Sequence, residues 1–365
     1  MILAVNYIIS RRATVSITVV RLLYAFLFIL CCVLLSACSE PSELDSSNKL
    51  HLHTGQVMGT WYSVKYLPPS NAERSVDDIN TEIHAKLARI DLLMSTYKAT
   101  SEVSRFNAVE PGVWFDLSPQ TYEVIELAQD ISAKTLGAFD ISVARLVDLW
   151  GFGPEQRAHH IPDADQLKQV LTEVGYENLK LHGSQLKVQK ETPLHIDLSA
   201  IAKGFGVDQV ADYLDRIGVE SFLVEVGGEI RTRGMKPNGQ PWRVAIESPA
   251  TGQRGVHSVV NVTDLALATS GDYRNYFEEN GQRFSHTIDP KTGAPITHNL
   301  ASVTVISSTA AEADALATAF SVMGPDQAMA YAKAYNVSTY LIVKEREGFV
   351  GKASEAFLAV TRDKL

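Results

Sequence analysis

Lys203 is the first of three polar features in this sequence that could take part in chemistry. It follows the apolar run Leu194, Ile196 and Leu198 and lies in the first turn of a predicted helix. The positive end of the helix macrodipole disfavours a cation there. A nearby anion would reconcile the two, because free backbone N–H groups beside a lysine suit phosphate. The pattern leaves open that Lys203 is simply solvated.

Gly204 and Gly206 lie in the same predicted helix, where each costs about 1 kcal/mol relative to alanine. Glycine is expected where another group must approach the backbone closely. That group is either a ligand or a packed neighbour, and the sequence does not distinguish them. Ser199 or Asp197 is the predicted N-cap of this helix.

Asp314 and Thr318 form the second feature, because they are four residues apart on a predicted helix that begins at Ala310. The apolar stripe of that helix includes Leu316 and Phe320, on roughly the opposite face. A carboxylate and a hydroxyl held side by side suit Mg²⁺, which completes its shell with water and substrate phosphate. The alternative is an ordinary acidic residue near a helix start.

His286 is the third feature and lies in a predicted strand over 283–288. With an ordinary pKa of about 6.5 it can accept a proton at neutral pH. A purely structural histidine is the alternative. The sequence has no P-loop, no complete dinucleotide fingerprint and no Gly-x-Ser-x-Gly nucleophile elbow.

Strands and helices in alternation must position these residues. The segment 194–228 is predicted to be strand, helix, strand, ending in Gly227-Gly228. Other predicted helices cover 75–93, 119–134, 165–174, 310–323 and 327–334, the fourth opened by a capping box of Thr309 and Glu312. Predicted strands cover 61–66, 179–188 (a hairpin), 241–247, 255–267, 301–306, 338–343 and 349–352.

The first 37 residues have the pattern of an export signal. Three arginines precede a 14-residue apolar run over 22–35, and no acid occurs before Glu40. A membrane-spanning helix usually needs about 20 apolar residues, so the run is short for an anchor. Leu35-Ser36-Ala37-Cys38 resembles the bacterial lipobox, whose cysteine is acylated. An uncleaved anchor is the alternative.

This resemblance implies a lipoprotein on the periplasmic side of a bacterial membrane, anchored through Cys38. Ser39 after the cysteine resembles an outer-membrane sorting signal. Residues 38–50 are predicted to be a flexible polar tether. Residues 51–365 are predicted to form a single domain, in which 155–191 is a more polar subregion; 45% hydrophobic and 21% charged residues are ordinary for a globular chain.

Cysteine usage and charge exclude several functions. The three cysteines are Cys31, Cys32 and Cys38, so the processed body contains no further thiol for a disulfide, a nucleophile or a metal site. Loss of Arg11, Arg12 and Arg21 with the signal changes the formal net charge from −9 to −12. Nonspecific binding to nucleic acid is therefore not expected.

Nine short motifs, taken in order, resemble the signatures of the ApbE family of FAD:protein FMN transferases, over about residues 54 to 345. They are Met58-Gly59-Thr60, Met94-Ser95-Thr96-Tyr97 with Ser104-Arg105-Phe106-Asn107, Gly137-Ala138-Phe139-Asp140, Trp150-Gly151-Phe152-Gly153, Asp197-Leu198-Ser199-Ala200-Ile201-Ala202-Lys203-Gly204, Gly227-Gly228, Thr269-Ser270-Gly271-Asp272-Tyr273, Ser285-His286-Thr287-Ile288-Asp289-Pro290 and Ala313-Asp314-Ala315-Leu316-Ala317-Thr318.

The resemblance implies an α+β fold, with antiparallel sheets packed with helices somewhat like the T-fold. It implies an Mg²⁺-dependent enzyme that moves the FMN half of FAD to a threonine or serine hydroxyl of another exported protein and releases AMP. His286 would be the base that activates this hydroxyl. The implied metal ligands are the Ala200 carbonyl, Asp314 and Thr318, and the implied flavin nucleotide site is Met58, Tyr97, Ala138, Phe139, Asp140, Asp197, Lys203 and Ile288.

The implied acceptors are redox proteins with a Thr/Ser flavinylation motif, such as subunits of membrane quinone reductases or Rnf-type complexes. Residues 289–295 nearly match such a motif but end in Pro295, and we interpret them as a tight turn. Two other functions remain open: an FAD pyrophosphatase that yields FMN and AMP, and a non-enzymatic flavin-binding lipoprotein.

Overall fold

A computed structural model describes residues 49–69, 74–154, 160–249, 255–271, 276–279 and 282–361. The predicted signal, Cys38, Ser39 and most of the tether lie outside the described residues, as do Asp272 and Tyr273. None of the helices in the described ranges combines the length and apolarity needed to cross a bilayer. Leu50–Leu365 forms one compact unit.

An eight-stranded antiparallel sheet is the frame of this unit, in the order β1-β2-β6-β7-β10-β13-β14-β15. Three small sheets, β3-β5-β4, β8-β9 and β11-β12, accompany it. The strands are β1 (His51–Val57), β2 (Thr60–Tyr66), β3 (Phe115–Asp116), β4 (Leu179–His182), β5 (Lys187–Lys190), β6 (Phe222–Val226), β7 (Glu229–Arg233), β8 (Trp242–Ser248), β9 (Gly255–Val262), β10 (Ala266–Gly271), β11 (Tyr276–Glu279), β12 (Gln282–Ser285), β13 (Leu300–Ser307), β14 (Ser338–Glu345) and β15 (Gly348–Ala353).

Helices pack on this frame, so the predicted α+β class is confirmed. They are α1 (Val76–Met94), α2 (Glu102–Asn107), α3 (Pro119–Lys134), α4 (Ala144–Leu149), α5 (Ala164–Leu171), α6 (Ala202–Arg216), α7 (Ala310–Tyr335) and α8 (Glu355–Thr361), with 3₁₀ turns at Tyr176–Asn178 and Gly183–Gln185.

Strand β13 is buried on both faces because different elements cover each side. Val303 and Val305 join the apolar cluster that contains the buried residues of α7. Ile306, which points to the other face, packs with side chains of β8, β9 and α8 such as Trp242 and Phe357. Residues on alternate faces of one strand thus enter two cores, which fixes its register.

Helices α6 and α7 are joined by two reciprocal contacts. Asp208 on α6 accepts hydrogen bonds from the backbone N–H groups of Ala310 (3.0 Å) and Ala311 (2.9 Å) at the start of α7. Asp314 on α7 accepts one from the backbone N–H of Gly204 in the first turn of α6 (3.2 Å). Each carboxylate therefore satisfies donors that its partner helix leaves unpaired.

Packing explains both glycines of α6. A Cβ at Gly204 would lie 2.2 Å from the carbonyl oxygen of Ala310, and one at Gly206 would lie 3.3 Å from Leu87 Cδ2 and 3.4 Å from Met58 Cε. The alternative of a packed neighbour is therefore the correct one.

Several predicted elements agree with the structure, and α3 has the predicted bounds, 119–134. The two predicted helices 310–323 and 327–334 correspond to the two parts of α7, which meet at a break where Gly324 adopts a φ of 75° and of which the second ends at Tyr335. The predicted strand over 255–267 is two strands, β9 and β10, because Asp264 turns the chain between them with a φ of 56°.

The segment before α6 differs from the prediction. Leu194, Ile196 and Leu198 are buried, but 194–198 pairs only through an isolated bridge from His195 to Val143. Its apolar side chains fill the core without a strand partner, so burial alone mimicked a strand pattern.

The N-cap of α6 also differs from the prediction, because it is Ile201 and not Ser199 or Asp197. Asp197 Oδ1 instead accepts hydrogen bonds from the N–H and the hydroxyl of Ser199. The Asp314 carboxylate from α7 binds the first turn of α6 in their place.

Candidate active site

A cavity of about 410 Å³ opens beside the starts of α6 and α7, and the predicted site residues meet there. The turn between β6 and β7, the end of β10 and the segment after β12 complete its wall. All predicted residues among the described ones line it except Met58: Tyr97, Ala138, Phe139, Asp140, Asp197, Ala200, Lys203, His286, Ile288, Asp314 and Thr318.

Met58 lies behind the cavity wall and not on it. It has a φ of 51° in the β1–β2 turn, and its side chain packs against Gly206 of α6 and into the apolar clusters. Met58 therefore supports the helix that carries Lys203.

Three charged side chains meet at the cavity wall. Lys203 Nζ lies 3.5 Å from Glu229 Oε1 and 3.6 Å from Asp314 Oδ2, and it donates a hydrogen bond to the Ser199 carbonyl (3.1 Å). Both carboxylate side chains are only 4% exposed, whereas that of Lys203 is 27% exposed. The anion that the position of Lys203 predicted is therefore present in the protein, as these two carboxylates.

Burial dominates the electrostatics of this cluster. It raises the pKa of Glu229 to about 8, although the nearby Lys203 opposes the rise. Burial also raises the pKa of Asp314 above its usual range. It disfavours the charged form of Lys203, but Asp314 and Glu229 outweigh this and raise the pKa of the lysine. Two buried carboxyl groups thus share a single positive charge, that of Lys203. Such a site can bind a further cation.

The residues beside Asp314 fit a hard divalent cation. Thr318 lies one turn along α7 and its hydroxyl is 3.3 Å from that of Ser270, while Ala200 lies in the turn before α6 and lines the same cavity. Glu229 Oε2 is buried and, within the described part of the chain, has no hydrogen-bond partner. Carboxylate, hydroxyl and carbonyl oxygens are the donors that Mg²⁺ prefers.

No group of three or more histidine, cysteine or acidic side chains forms a ready metal cluster in the ranges described. A cation at Asp314 would therefore depend on neutral oxygens of the protein and of water, with substrate oxygens replacing water when FAD is bound. This dependence is typical of Mg²⁺ sites in phosphoryl-transfer enzymes.

His286 directly follows β12, which ends at Ser285, so it does not lie within a strand as predicted. Its ring meets that of Phe152 edge-on, with centroids 6.4 Å apart. Trp150 donates a hydrogen bond from Nε1 to the Gly293 carbonyl (2.8 Å) and ties the segment after β12 to the Trp-Gly-Phe-Gly motif. This motif therefore positions the loop that carries His286.

Asp140 is held by the chain on both carboxylate oxygens. Oδ1 accepts hydrogen bonds from the N–H and the hydroxyl of Ser142, and Oδ2 accepts one from the N–H of Tyr176. Burial nevertheless raises its pKa. Asp140 thus fixes the segment that presents Ala138 and Phe139 to the cavity.

Tyr97 lies at the edge of the cavity with 69% of its surface exposed. Partial burial, with the charges of Asp197 and Asp148 adding to it, raises the pKa of its phenol. An exposed aromatic ring beside an apolar and polar cavity is suited to contact a planar ring system.

Glu229 and Ser270 also line the cavity, although neither was predicted as a site residue; Ser270 appeared only within one of the nine motifs. The signal for Glu229 was an acidic side chain directly after Gly227-Gly228, at the start of the strand β7, whose side chains are mostly buried. Its partner Lys203 is 26 positions away in sequence, so only the fold shows the pairing.

The comparisons with known proteins agree with the predicted resemblance. The sequence profile of the ApbE family matches residues 58–341. An FAD:protein FMN transferase of Vibrio cholerae serotype O1 is 44% identical over 327 residues, covering 89% of this chain and 95% of the relative. One of Haemophilus influenzae is 42% identical over 335 residues, covering 90% and 95%.

Two solved structures have the same fold. Pseudomonas stutzeri flavinyl transferase ApbE in its apo form superposes with a TM-score of 0.80 at 38% identity, covering 86% of this chain and 97% of that one. Flavin transferase ApbE from Vibrio cholerae gives 0.79 at 42% identity, covering 85% and 99%. The fold, the ordered motifs and these relatives agree: the chain belongs to the ApbE family.

Proposed function

We propose that this chain transfers FMN from FAD to a threonine or serine hydroxyl of an exported redox protein, with Mg²⁺ bound, and releases AMP. The observation that carries the proposal is the cluster of Lys203, Asp314 and Glu229 on the wall of the cavity that also contains His286. The names of the relatives, FAD:protein FMN transferase, support the same reaction.

In this reaction the acceptor hydroxyl oxygen forms a bond to the phosphorus of the FMN phosphate, and the bond from that phosphorus to the AMP phosphate oxygen breaks. His286 accepts the hydroxyl proton, and AMP leaves with the electron pair of the broken bond. The segment from β12 to Gly293, fixed by Trp150, keeps the imidazole at the cavity wall. Positioning of this kind is a large part of catalysis in phosphoryl transfer.

Lys203 provides positive charge for the diphosphate of FAD. Its 27% exposure lets it reach a ligand, while Ser199, Glu229 and Asp314 hold it in place. Tyr97, Phe139 and Ile288 offer apolar surface for the flavin nucleotide. Asp314, Thr318 and the Ala200 carbonyl would hold Mg²⁺, which neutralises charge on phosphate oxygens when bound.

The proposed location is the periplasmic side of a bacterial membrane, with Cys38 as the lipid attachment and Ser39 favouring the outer membrane. The sequence pattern of residues 1–39 supports this. Such a location would bring the cavity close to exported and membrane-bound redox proteins, such as subunits of membrane quinone reductases or Rnf-type complexes. The polar residues after Cys38 would act as a flexible tether that lets the domain extend away from the membrane surface.

The test is flavin labelling of membranes from a strain that lacks this gene. We incubate them with the purified chain, FAD and Mg²⁺, and follow flavin fluorescence of protein bands in a denaturing gel. Asp314→Ala is expected to abolish labelling, and His286→Ala to slow it about 100-fold or more, the usual contribution of general base catalysis.

Asp326→Ala is the matched control, because it removes an exposed aspartate that lies on the same helix but does not line the cavity. It should label at the wild-type rate. Normal labelling by either active-site variant would remove that residue from its role. AMP release without any labelled band would instead identify the chain as an FAD pyrophosphatase, and FAD binding without AMP release would identify it as a flavin carrier.

A further inference from the structure

We propose that Glu229 is a positioning residue that draws Lys203 away from Asp314 and so makes Asp314 available to the divalent cation. This inference rests on the proposed function of the cavity. It concerns how a divalent cation replaces the lysine ammonium as the positive partner of the Asp314 carboxylate.

The ammonium group of Lys203 already has three oxygen neighbours in the protein before a cation binds. It has three N–H donors, and three oxygens surround it: the Ser199 carbonyl at 3.1 Å, Glu229 Oε1 at 3.5 Å and Asp314 Oδ2 at 3.6 Å. Asp314 Oδ2 also accepts the Gly204 N–H. A divalent cation at Asp314 must therefore compete with a lysine that already neutralises it.

Glu229 has the spare acceptor that this competition requires. Its Oε2 is buried and lacks a hydrogen-bond partner among the described residues, although Oε1 already faces Lys203. A buried unpaired carboxylate oxygen is costly. Lys203 can therefore turn from Asp314 to Oε2 of Glu229 with a shift of its terminal atoms, while the Ser199 carbonyl continues to hold it.

As a result, the cation replaces Lys203 as the partner of Asp314, and Lys203 becomes available to the substrate. When a cation takes Asp314, the lysine keeps its charge balanced by Glu229, and the cation and the ammonium no longer share one carboxylate. The positive charge of Lys203, no longer matched to Asp314, can then also attract a phosphate oxygen of the substrate, because Lys203 is the partly exposed member of the cluster.

Removal of the Glu229 charge should then weaken cation binding. In Glu229→Gln, Lys203 keeps Asp314 as its only carboxylate partner, and the amide nitrogen cannot accept from the ammonium. The dissociation constant for Mn²⁺ without FAD should rise about tenfold, the size expected when one close charge is lost in a partly buried site. Lys203→Met removes the competitor and should lower this constant.

The measurement is electron paramagnetic resonance of free Mn²⁺, titrated into the full-length chain at pH 8.5 under argon, without FAD. Glu225→Gln is the matched control, because Glu225 lies on the adjacent strand β6 and does not line the cavity. It loses the same charge and should bind Mn²⁺ like the wild type. Thermal unfolding checks that each variant is folded, and Glu229→Ala replaces Glu229→Gln if the latter is not.

Opposite shifts for the Glu229 and Lys203 variants, with no shift for the control, support the proposal. In the Lys203→Met background Glu229→Gln should no longer weaken Mn²⁺ binding, because Glu229 acts through the lysine. A direct charge effect or a structural role of Glu229 would still weaken it there, and that result overturns the proposal. Unchanged or tighter Mn²⁺ binding by folded Glu229→Gln overturns it, and so does a wild-type chain that binds no Mn²⁺ without FAD. Flavin labelling by the wild-type chain with FAD and Mg²⁺ tests the proposed function separately from the Mn²⁺ titration, so a failure of one is distinguishable from a failure of the other.

Discussion

At the scale of single residues, the site consists of one lysine, Lys203, that lies close to two buried carboxylates, Glu229 and Asp314. Lys203 stays charged because two carboxylates surround it, although burial works against the ammonium form. Glu229 and Asp314 each have a raised pKa because both lie in a poorly solvated wall. The cluster is thus short of positive charge, which suits a site for a cation and a diphosphate.

This imbalance predicts that cation affinity depends on pH. Burial raises the pKa of Glu229 to about 8, so protonation of Glu229 competes with cation binding in this pH range, whereas a bound cation favours the ionised carboxylate. Binding therefore releases a proton, and affinity should increase as pH rises from 6.5 to 8.5. Titrations of Mn²⁺ at the two pH values check this; an affinity that is flat or that falls as pH rises would contradict it.

At the scale of elements, the pair of helices α6 and α7 sets the geometry of the site. Asp208 binds the start of α7 and Asp314 binds the first turn of α6, so each helix end is fixed by the other. Gly204 permits this approach because no Cβ separates it from the Ala310 carbonyl. The contact that packs the helices is therefore also the one that brings Asp314 to Lys203.

Gly204→Ala and Gly206→Ala form a matched pair that tests this packing. Both changes gain helix propensity of about 1 kcal/mol. At Gly206 the new methyl group meets the flexible ends of Leu87 and Met58, so stability should change little. At Gly204 it meets backbone, and the free energy of unfolding should fall by about 2 kcal/mol or more. Urea unfolding measures both, and equal stabilities would contradict the account.

Local patterns predicted most elements but not the contacts among them. The period of apolar residues gave the bounds of α3, and the spacing of Asp314 and Thr318 pointed to the cavity. The segment 194–198 misled because a buried coil has the same apolar residues as a strand. Glu229 was not predicted as a site residue because its role depends on its contact with Lys203. That contact forms only when the fold brings α6 close to β7.

At the scale of the whole molecule, one antiparallel sheet holds two distant parts of the sequence at one cavity. The strands β6 and β7 provide the turn that carries Glu229, and β10 provides Ser270 opposite Thr318. Residues near positions 97, 138–140, 197–203, 286–288 and 314–318 reach the same wall. This convergence explains why nine short motifs spread over the chain together indicate one activity.

The proposed export signal makes a prediction at this scale. We expect the processed chain to begin at an acylated Cys38 and to sediment with membranes. Cys38→Ala should carry no lipid, and its N-terminus should differ from the acylated residue 38 expected in the wild type. Mass spectrometry of the N-terminal peptide and fractionation of the cells check this. An unmodified Cys38 in the membrane-bound wild type would contradict lipid anchoring.

We propose that Asp314 and Lys203 face one cation and one diphosphate in a single cavity. Diffraction from crystals of the chain grown with FAD and Mn²⁺, recorded for the anomalous signal of manganese, is the direct test. We expect a manganese peak at about 2.1–2.2 Å from an Asp314 oxygen, with the Ala200 carbonyl and Thr318 beside it and the FAD diphosphate against Lys203. Manganese or FAD bound elsewhere, with Asp314 still paired to Lys203, would contradict it.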